Sequence, residues 1–221
     1  MSFNIAIDGP AGAGKSTIAK QLAKELGFVY VDTGAMYRSM AYYFIKNNIG
    51  AEDEAAIAAA CPNVNVSLTY EDGVQNVWLN GENVSTVIRQ EEVGKMASAT
   101  SVYPVVRTKL VELQQELAKT TDVIMDGRDI GTVVLPNADV KIYMTASSAI
   151  RAKRRFDELT AKGIECDLDE IEKDIIERDY RDMNRETSPL KKADDAVELD
   201  TSDLDIDGVV NAMKEIIAQK R

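Results

Sequence analysis

Gly9-Pro10-Ala11-Gly12-Ala13-Gly14-Lys15-Ser16-Thr17 fits the phosphate-loop pattern Gly-x-x-x-x-Gly-Lys-Ser without a departure. Glycines let the backbone curl without Cβ clashes and turn its N–H groups toward an anion. Lys15 is placed to reach β- and γ-phosphates, and the Ser16 hydroxyl to ligate Mg²⁺. The helix that opens near Lys15 adds the partial positive charge of its N-terminus. The flanks agree with the motif. Phe3 to Ile7 reads as a short buried strand. Thr17 to Leu26 reads as a helix with Ile18, Ala19, Leu22, Ala23 and Leu26 on one face and Gly27 as its stop.

Outward from the loop, the chain alternates strands and helices. Phe28 to Val31 is a second apolar strand, running into Asp32-Thr33-Gly34-Ala35-Met36-Tyr37-Arg38 at the start of a helix that ends near Asn47. Arg38 lies one turn beyond that N-terminus; it either faces an anion held there or is a surface residue of a capped helix. Ala51 to Cys61 is a short helix ended by Pro62. The pattern then changes to period two. Val64 to Tyr70, a turn at Glu71-Asp72-Gly73, Val74 to Leu79, a tight turn at Asn80-Gly81 and a third strand from Glu82 read as an inserted antiparallel unit over 62–90.

Helices follow at Glu91 to Ser101 and Pro104 to Lys119, then an apolar strand at Val123-Ile124-Met125. That strand ends in Asp126-Gly127-Arg128-Asp129. A carboxylate there is where a phosphate-loop protein helps to hold Mg²⁺, so Asp126 is expected to act on the metal through water. Open α/β sheets bind ligands at the carboxyl ends of their strands, which puts Arg128 and Asp129 near the site. A fourth strand spans Val140 to Met144. Two charged helices, Ser147 to Lys162 and Asp167 to Arg185, read as a mobile anion-gripping flap, with Arg151 and Arg155 on one face and Arg178, Asp182 and Arg185 on another. A fifth strand at Ala196 to Asp200 and a helix from Leu204 to Lys220 close the chain. The fold class expected is α/β, a three-layer phosphate-loop fold on a five-stranded parallel sheet, with a small antiparallel β insert and a helical lid.

Composition narrows the function. The 221 residues carry 26 basic and 37 acidic side chains, a net charge of −11. Such a chain is a poor binder of nucleic acid, so any anionic substrate must meet a local cluster of positive charge. There is no histidine, which removes the commonest general base and His-based zinc sites. The two cysteines, Cys61 and Cys166, lie outside any metal-ligand spacing and read as free thiols. No apolar run is long enough to span a membrane and no signal-peptide pattern opens the chain, so a cytoplasmic protein is expected. With arginines at 38, 107, 128, 151, 155, 178, 181 and 185 and no evident general base, the inventory suits phosphoryl transfer between two anionic groups. Flaps closing over the pair would exclude competing water.

The phosphate loop, Asp32 to Arg38, Asp126 to Val134 (Asp-Gly-Arg-Asp-Ile-Gly-Thr-Val-Val) and Glu177 to Asp182 (Glu-Arg-Asp-Tyr-Arg-Asp), in this order, resemble bacterial cytidylate kinases over essentially the whole chain. The three-stranded insert looks like the enlarged monophosphate-binding domain of the bacterial enzymes. The resemblance implies transfer from ATP to CMP or dCMP, with Mg²⁺, by a monomer that takes UMP poorly. It implies that Gly9 to Thr17 cradle the ATP phosphates and that Arg38, Arg128 and Arg185 grip the CMP phosphate. Thr33 would lie in the CMP site; Ser98, Arg107 and Asp129 would read the cytosine edge; Arg178 and Asp182 would hold the ribose end and close the site. Arg151 and Arg155 resemble paired lid arginines that meet ATP, and Lys15, Arg128, Arg178 and Arg185 would be catalytic. The implied layout is a core in three pieces (1–37, 99–150 and 189–221), an acceptor domain at 38–98 and a lid at 151–188.

The acceptor itself is not derivable from spacing, and a kinase for UMP, dTMP or a small metabolite remains open on the residues alone. A GTP-dependent switch fits less well, because no asparagine is followed by lysine as its Asn-Lys-x-Asp motif needs. A nucleic-acid-dependent ATPase lacks the basic, aromatic-rich stripe it would require.

Overall fold

The five strands of the main sheet are parallel and ordered β2-β6-β1-β7-β8, with the strand that precedes the phosphate loop at the centre. They are β1 (Asn4–Asp8), β2 (Val29–Asp32), β6 (Val123–Gly127), β7 (Val140–Thr145) and β8 (Val197–Asp200). The structure is a computed structural model that describes residues 2–71 and 74–220. Asp72 and Gly73, two thirds of the expected turn at 71–73, lie outside the described residues.

Side-chain alternation sets the layers. On β1, Ile5 and Ile7 enter one core while Ala6 enters the other; on β6, Ile124 faces the first and Val123 and Met125 the second. The first core is closed by α1 (Lys15–Leu26) and α8 (Ile206–Ala218) through Ile18, Leu22, Val209, Val210, Met213 and Ile217. The second is closed by α2 (Thr33–Lys46) and α5 (Pro104–Thr120), through Met36, Met40, Phe44, Val106 and Leu110. Two-sided burial explains why the central strands read as continuous apolar runs.

The second core also receives the insert. Its antiparallel sheet, β3 (Val66–Glu71), β4 (Val74–Leu79) and β5 (Glu82–Asn83), sends in Val66, Val77 and Leu79. The short α3 (Glu54–Ala60) leads into the insert and α4 (Glu91–Thr100) leaves it. α6 (Ser148–Ala161) and α7 (Leu168–Asn184) pack together as a helical hairpin. Arg185, expected inside α7, is its extended C-terminal cap (φ −65°, ψ 142°).

Candidate active site

The loop after β1 leads into α1 through Gly14, whose left-handed φ of 86° a side chain would strain. Lys15 is buried, and its Nζ donates to the Pro10 carbonyl at 2.7 Å. Burial, reinforced by the nearby Arg128 charge, pushes the Lys15 ammonium down to about 7. The Ser16 hydroxyl donates to Asp126 Oδ2 at 2.8 Å, and the Tyr30 hydroxyl donates to Oδ1 at 2.8 Å. Burial and the Asp32 charge hold the Asp126 carboxyl above its usual range.

Asp8, at the end of β1, accepts the Ile130 and Gly131 amides, each at 2.7 Å. These bonds pin the π-helical turn Ile130–Val134 and so fix where Arg128 and Asp129 sit. Burial pushes the Asp8 carboxyl up to about 6 despite the two donors.

A second cluster of charged side chains is built on α2, α4, α5, β6 and α7. The Thr33 hydroxyl donates to the Asp126 carbonyl at 2.7 Å. Asp32 caps α2: Oδ1 accepts the Ala35 amide at 2.9 Å and Oδ2 pairs with Arg89 of the insert at 2.8 Å. Arg38 stands on the same helix. Arg128 Nε donates to Asp182 Oδ2 at 2.8 Å, and Arg185 Nη1 is 3.6 Å from Asp182 Oδ1. Asp129 is ion-paired with Arg107, and Arg185 Nη2 lies 3.8 Å from its other oxygen. Arg107 Nη1 donates to the Ser101 carbonyl at 3.1 Å, and its guanidinium lies over the Tyr37 ring, 5.3 Å from the centroid.

Positive charge is in excess here. Burial lowers Arg38, with Asp32 opposing and Arg89 and Arg128 adding to the drop. Burial and then Arg128 push Arg178 down to about 10. Burial also opposes the charge of Arg128, but Asp182 outweighs it; in return Arg128 and its neighbours hold the buried Asp182 carboxyl below its usual range. Ser98 Oγ, Arg107 Nε, Arg178 Nε and Arg185 Nη2 are buried without a hydrogen-bond partner among the described residues. Unsatisfied buried donors cost about 1–3 kcal/mol each, so a cluster of them in a cationic cleft points to an anionic, hydrogen-bonding ligand.

The fold thus brings together Lys15, Ser16, Thr33, Arg38, Arg107, Asp126, Arg128, Asp129, Arg178, Asp182 and Arg185. Ser98 stands on α4, three residues before Ser101, whose carbonyl accepts from Arg107 Nη1. Arg155 is exposed and paired with Glu158 one turn along its own helix, at 2.9 Å. Arg151 is buried, with all three nitrogens of its guanidinium bound to protein. Asp8, Tyr30 and Asp179 belong to the site's framework; the motif reading passes over Asp8 and Tyr30 and gives Asp179, inside the Glu177–Asp182 motif, no role. Asp8 carried a usable signal: like Asp126, it is an acid at the carboxyl end of an apolar strand.

A profile of the family described as cytidylate kinase matches residues 5–219. The chain belongs to the cytidylate kinase family. The cytidylate kinase of Lactobacillus johnsonii is 54% identical over 219 residues, covering 99% of this chain and 95% of that protein. The cytidylate kinase of Listeria innocua is 51% identical over 217 residues, covering 98% and 96%. More distantly, a gluconokinase from Sinorhizobium meliloti shares the fold at a TM-score of 0.52 and 10% identity, covering 98% of this chain and 92% of its own. Membership makes the chain a phosphotransferase of the nucleoside monophosphate kinase class, and it accounts for two charged clusters, one at the phosphate loop and one facing it.

Proposed function

We propose that the chain transfers the γ-phosphoryl group of ATP to the phosphate of CMP or dCMP, giving ADP and CDP or dCDP. One observation carries the reading: Arg38, Arg128 and Arg178 repel one another across a cleft that also takes in Lys15, with the unpartnered Arg178 Nε buried there. Two phosphate groups brought together would relieve that repulsion. The transition state spreads charge over the moving phosphoryl oxygens, and these cations are fixed before reaction begins. The acceptor is already an anion, so no base is needed. Asp8 and Asp126, the acids nearest the loop, are both occupied by protein donors.

The loop amides and Lys15 bind ATP, and Arg155 of the lid meets it on closure. Arg38, Arg128 and Arg185 take the acceptor phosphate beside Thr33, and Arg178 with Asp182 takes the ribose. The Arg107–Asp129 pair beside Ser98 offers a fixed set of donors and acceptors to cytosine, which is selective because a mismatched base would leave buried groups unpaired. The donor set suits Mg²⁺. One hydroxyl (Ser16) and one carboxylate (Asp126) converge at 2.8 Å. Few protein ligands is the usual pattern for Mg²⁺, which keeps its waters and takes phosphate oxygens. When bound it would neutralise charge on the phosphates of ATP.

Residues 38–98 act as the acceptor domain, with the insert at 62–90, and 151–188 as the lid, moving against the core at 1–37, 99–150 and 189–221. The protein acts as a monomer in a reducing cytoplasm, where its two free thiols, Cys61 and Cys166, stay reduced. No helix among the described residues is long and apolar enough to cross a membrane.

Chromatography of a mixture of ATP, CMP, Mg²⁺ and the protein tests the reaction: CDP and ADP should appear in equal amounts, and ADP without CDP would refute it. Two further outcomes are expected. Lys15 begins near 7 in the free protein and is held protonated by bound phosphates, so binding takes up a proton above that pH. ATP affinity should therefore weaken as pH rises from about 7 to 9, by up to roughly tenfold per unit; titration calorimetry showing no proton uptake at pH 8 would contradict this. Asp182→Ala should change the ratio of kcat/KM for CMP to that for dCMP, and an unchanged ratio counts against its ribose role.

A further inference from the structure

Arg151 sits where three segments meet. Its Nε donates to the Ala146 carbonyl at the end of β7, at 2.9 Å. Its Nη1 donates to the Ala11 carbonyl of the phosphate loop, at 2.9 Å. Its Nη2 pairs with Asp179 Oδ2 of α7, at 2.7 Å. Both side chains are buried, Arg151 to 6% exposure and Asp179 to 12%. The loop touches the same place, since a Cβ added at Gly12 would lie 3.5 Å from Arg151 Cβ and 4.0 Å from Ile175 Cδ1 of α7. Only a planar fork with several donors can span a main-chain oxygen on each of two segments and a carboxylate on a third.

We propose that Arg151 and Asp179 form a strut that sets the position of the phosphate loop, acting on ATP through Ala11 and not by contact. Asp179 is then a positioning residue. Three residues along α7, on the same buried side, Asp182 holds Arg128 of the acceptor site. One turn of α7 therefore grips the donor loop with one carboxylate and the acceptor arginine with the next. The proposal rests on the reading of ATP as donor. Wild-type turnover tests that reading, and the pattern among the variants tests the strut.

The test uses full-length Asp179→Asn, Arg151→Lys and the double variant, with KM measured for each substrate. Arg151→Lys keeps the charge but has one nitrogen for three acceptors. Asp179→Asn keeps the shape but removes the charge. Each should raise KM for ATP by about tenfold and leave KM for CMP within about twofold. Because both break one device, the double variant should be no worse than the poorer single one, the non-additivity of residues that act as a unit. A general loss of structure would move both KM values. Direct contact of Arg151 with ATP predicts otherwise: Asp179→Asn leaves KM for ATP near the wild-type value, or the two effects multiply. Either result overturns the strut. If Arg151→Lys does not fold, Asp179→Asn alone decides through the split between the two KM values.

Discussion

Arg128→Ala lowers kcat by roughly 10²- to 10³-fold while the protein stays folded. Arg128 lies at the end of β6, where the turn pinned by Asp8 fixes its backbone, and Asp182 holds its guanidinium at 2.8 Å. The cation is thus placed before substrate arrives, which makes it worth more in a transition state than a cation that must reorganise. Its removal also frees Asp182, but Arg185 stays within 3.6 Å of that carboxylate, so the buried charge keeps a partner. The loss should fall on kcat more than on KM for ATP, because the loop amides and Lys15 remain. Steady-state kinetics beside a thermal melt checks both halves. Near-normal turnover in a folded variant would remove Arg128 from the reaction.

Gly9→Ala abolishes useful activity and also destabilises the protein, by about 2–4 kcal/mol or more. Gly9 has φ 150°, a region side chains rarely enter. An added Cβ would stand 2.0 Å from the Met144 carbonyl oxygen of β7. Main chain cannot yield as a flexible side chain does, so either β7 or the loop must move. Gly12, whose added Cβ would meet its nearest neighbour only at 3.5 Å, provides the contrast: alanine there keeps the space but strains φ 74°. Chemical denaturation should rank Gly9→Ala well below Gly12→Ala, and equal stability would show that the close approach to β7 does not matter.

How far the sequence carries depends on whether a feature is local. Helix starts at Asp32 and Ser147 show because the cap and the amide it serves are three residues apart. The central strands show because both faces are buried. The insert shows because β3 and β4 alternate with period two and a tight Asn80-Gly81 turn folds β5 back on β4. The roles of Arg151 and Arg155 do not separate in this way. In sequence they are equivalent, one turn apart on one helix. In the fold one is enclosed by partners from positions 11, 146 and 179, and the other pairs with Glu158 in solvent. The difference is made by contacts with Ala11, 140 residues back, and with Asp179 on the next helix, which no local pattern records. Asp8 is legible as an acid at the end of an apolar strand, but its partners are not: Ile130 and Gly131 reach it only once β1 and β6 are neighbours.

With the phosphate of a cytidine nucleotide as acceptor, the rate of ADP release from ATP and Mg²⁺ depends on which of CMP, dCMP, UMP, AMP, GMP or dTMP is added, each measured against a blank without acceptor. Rapid release with CMP and dCMP, slower release with UMP and little in the blank is the predicted result. Equal release with and without acceptor would mean that water, not a cytidine nucleotide, takes the phosphoryl group.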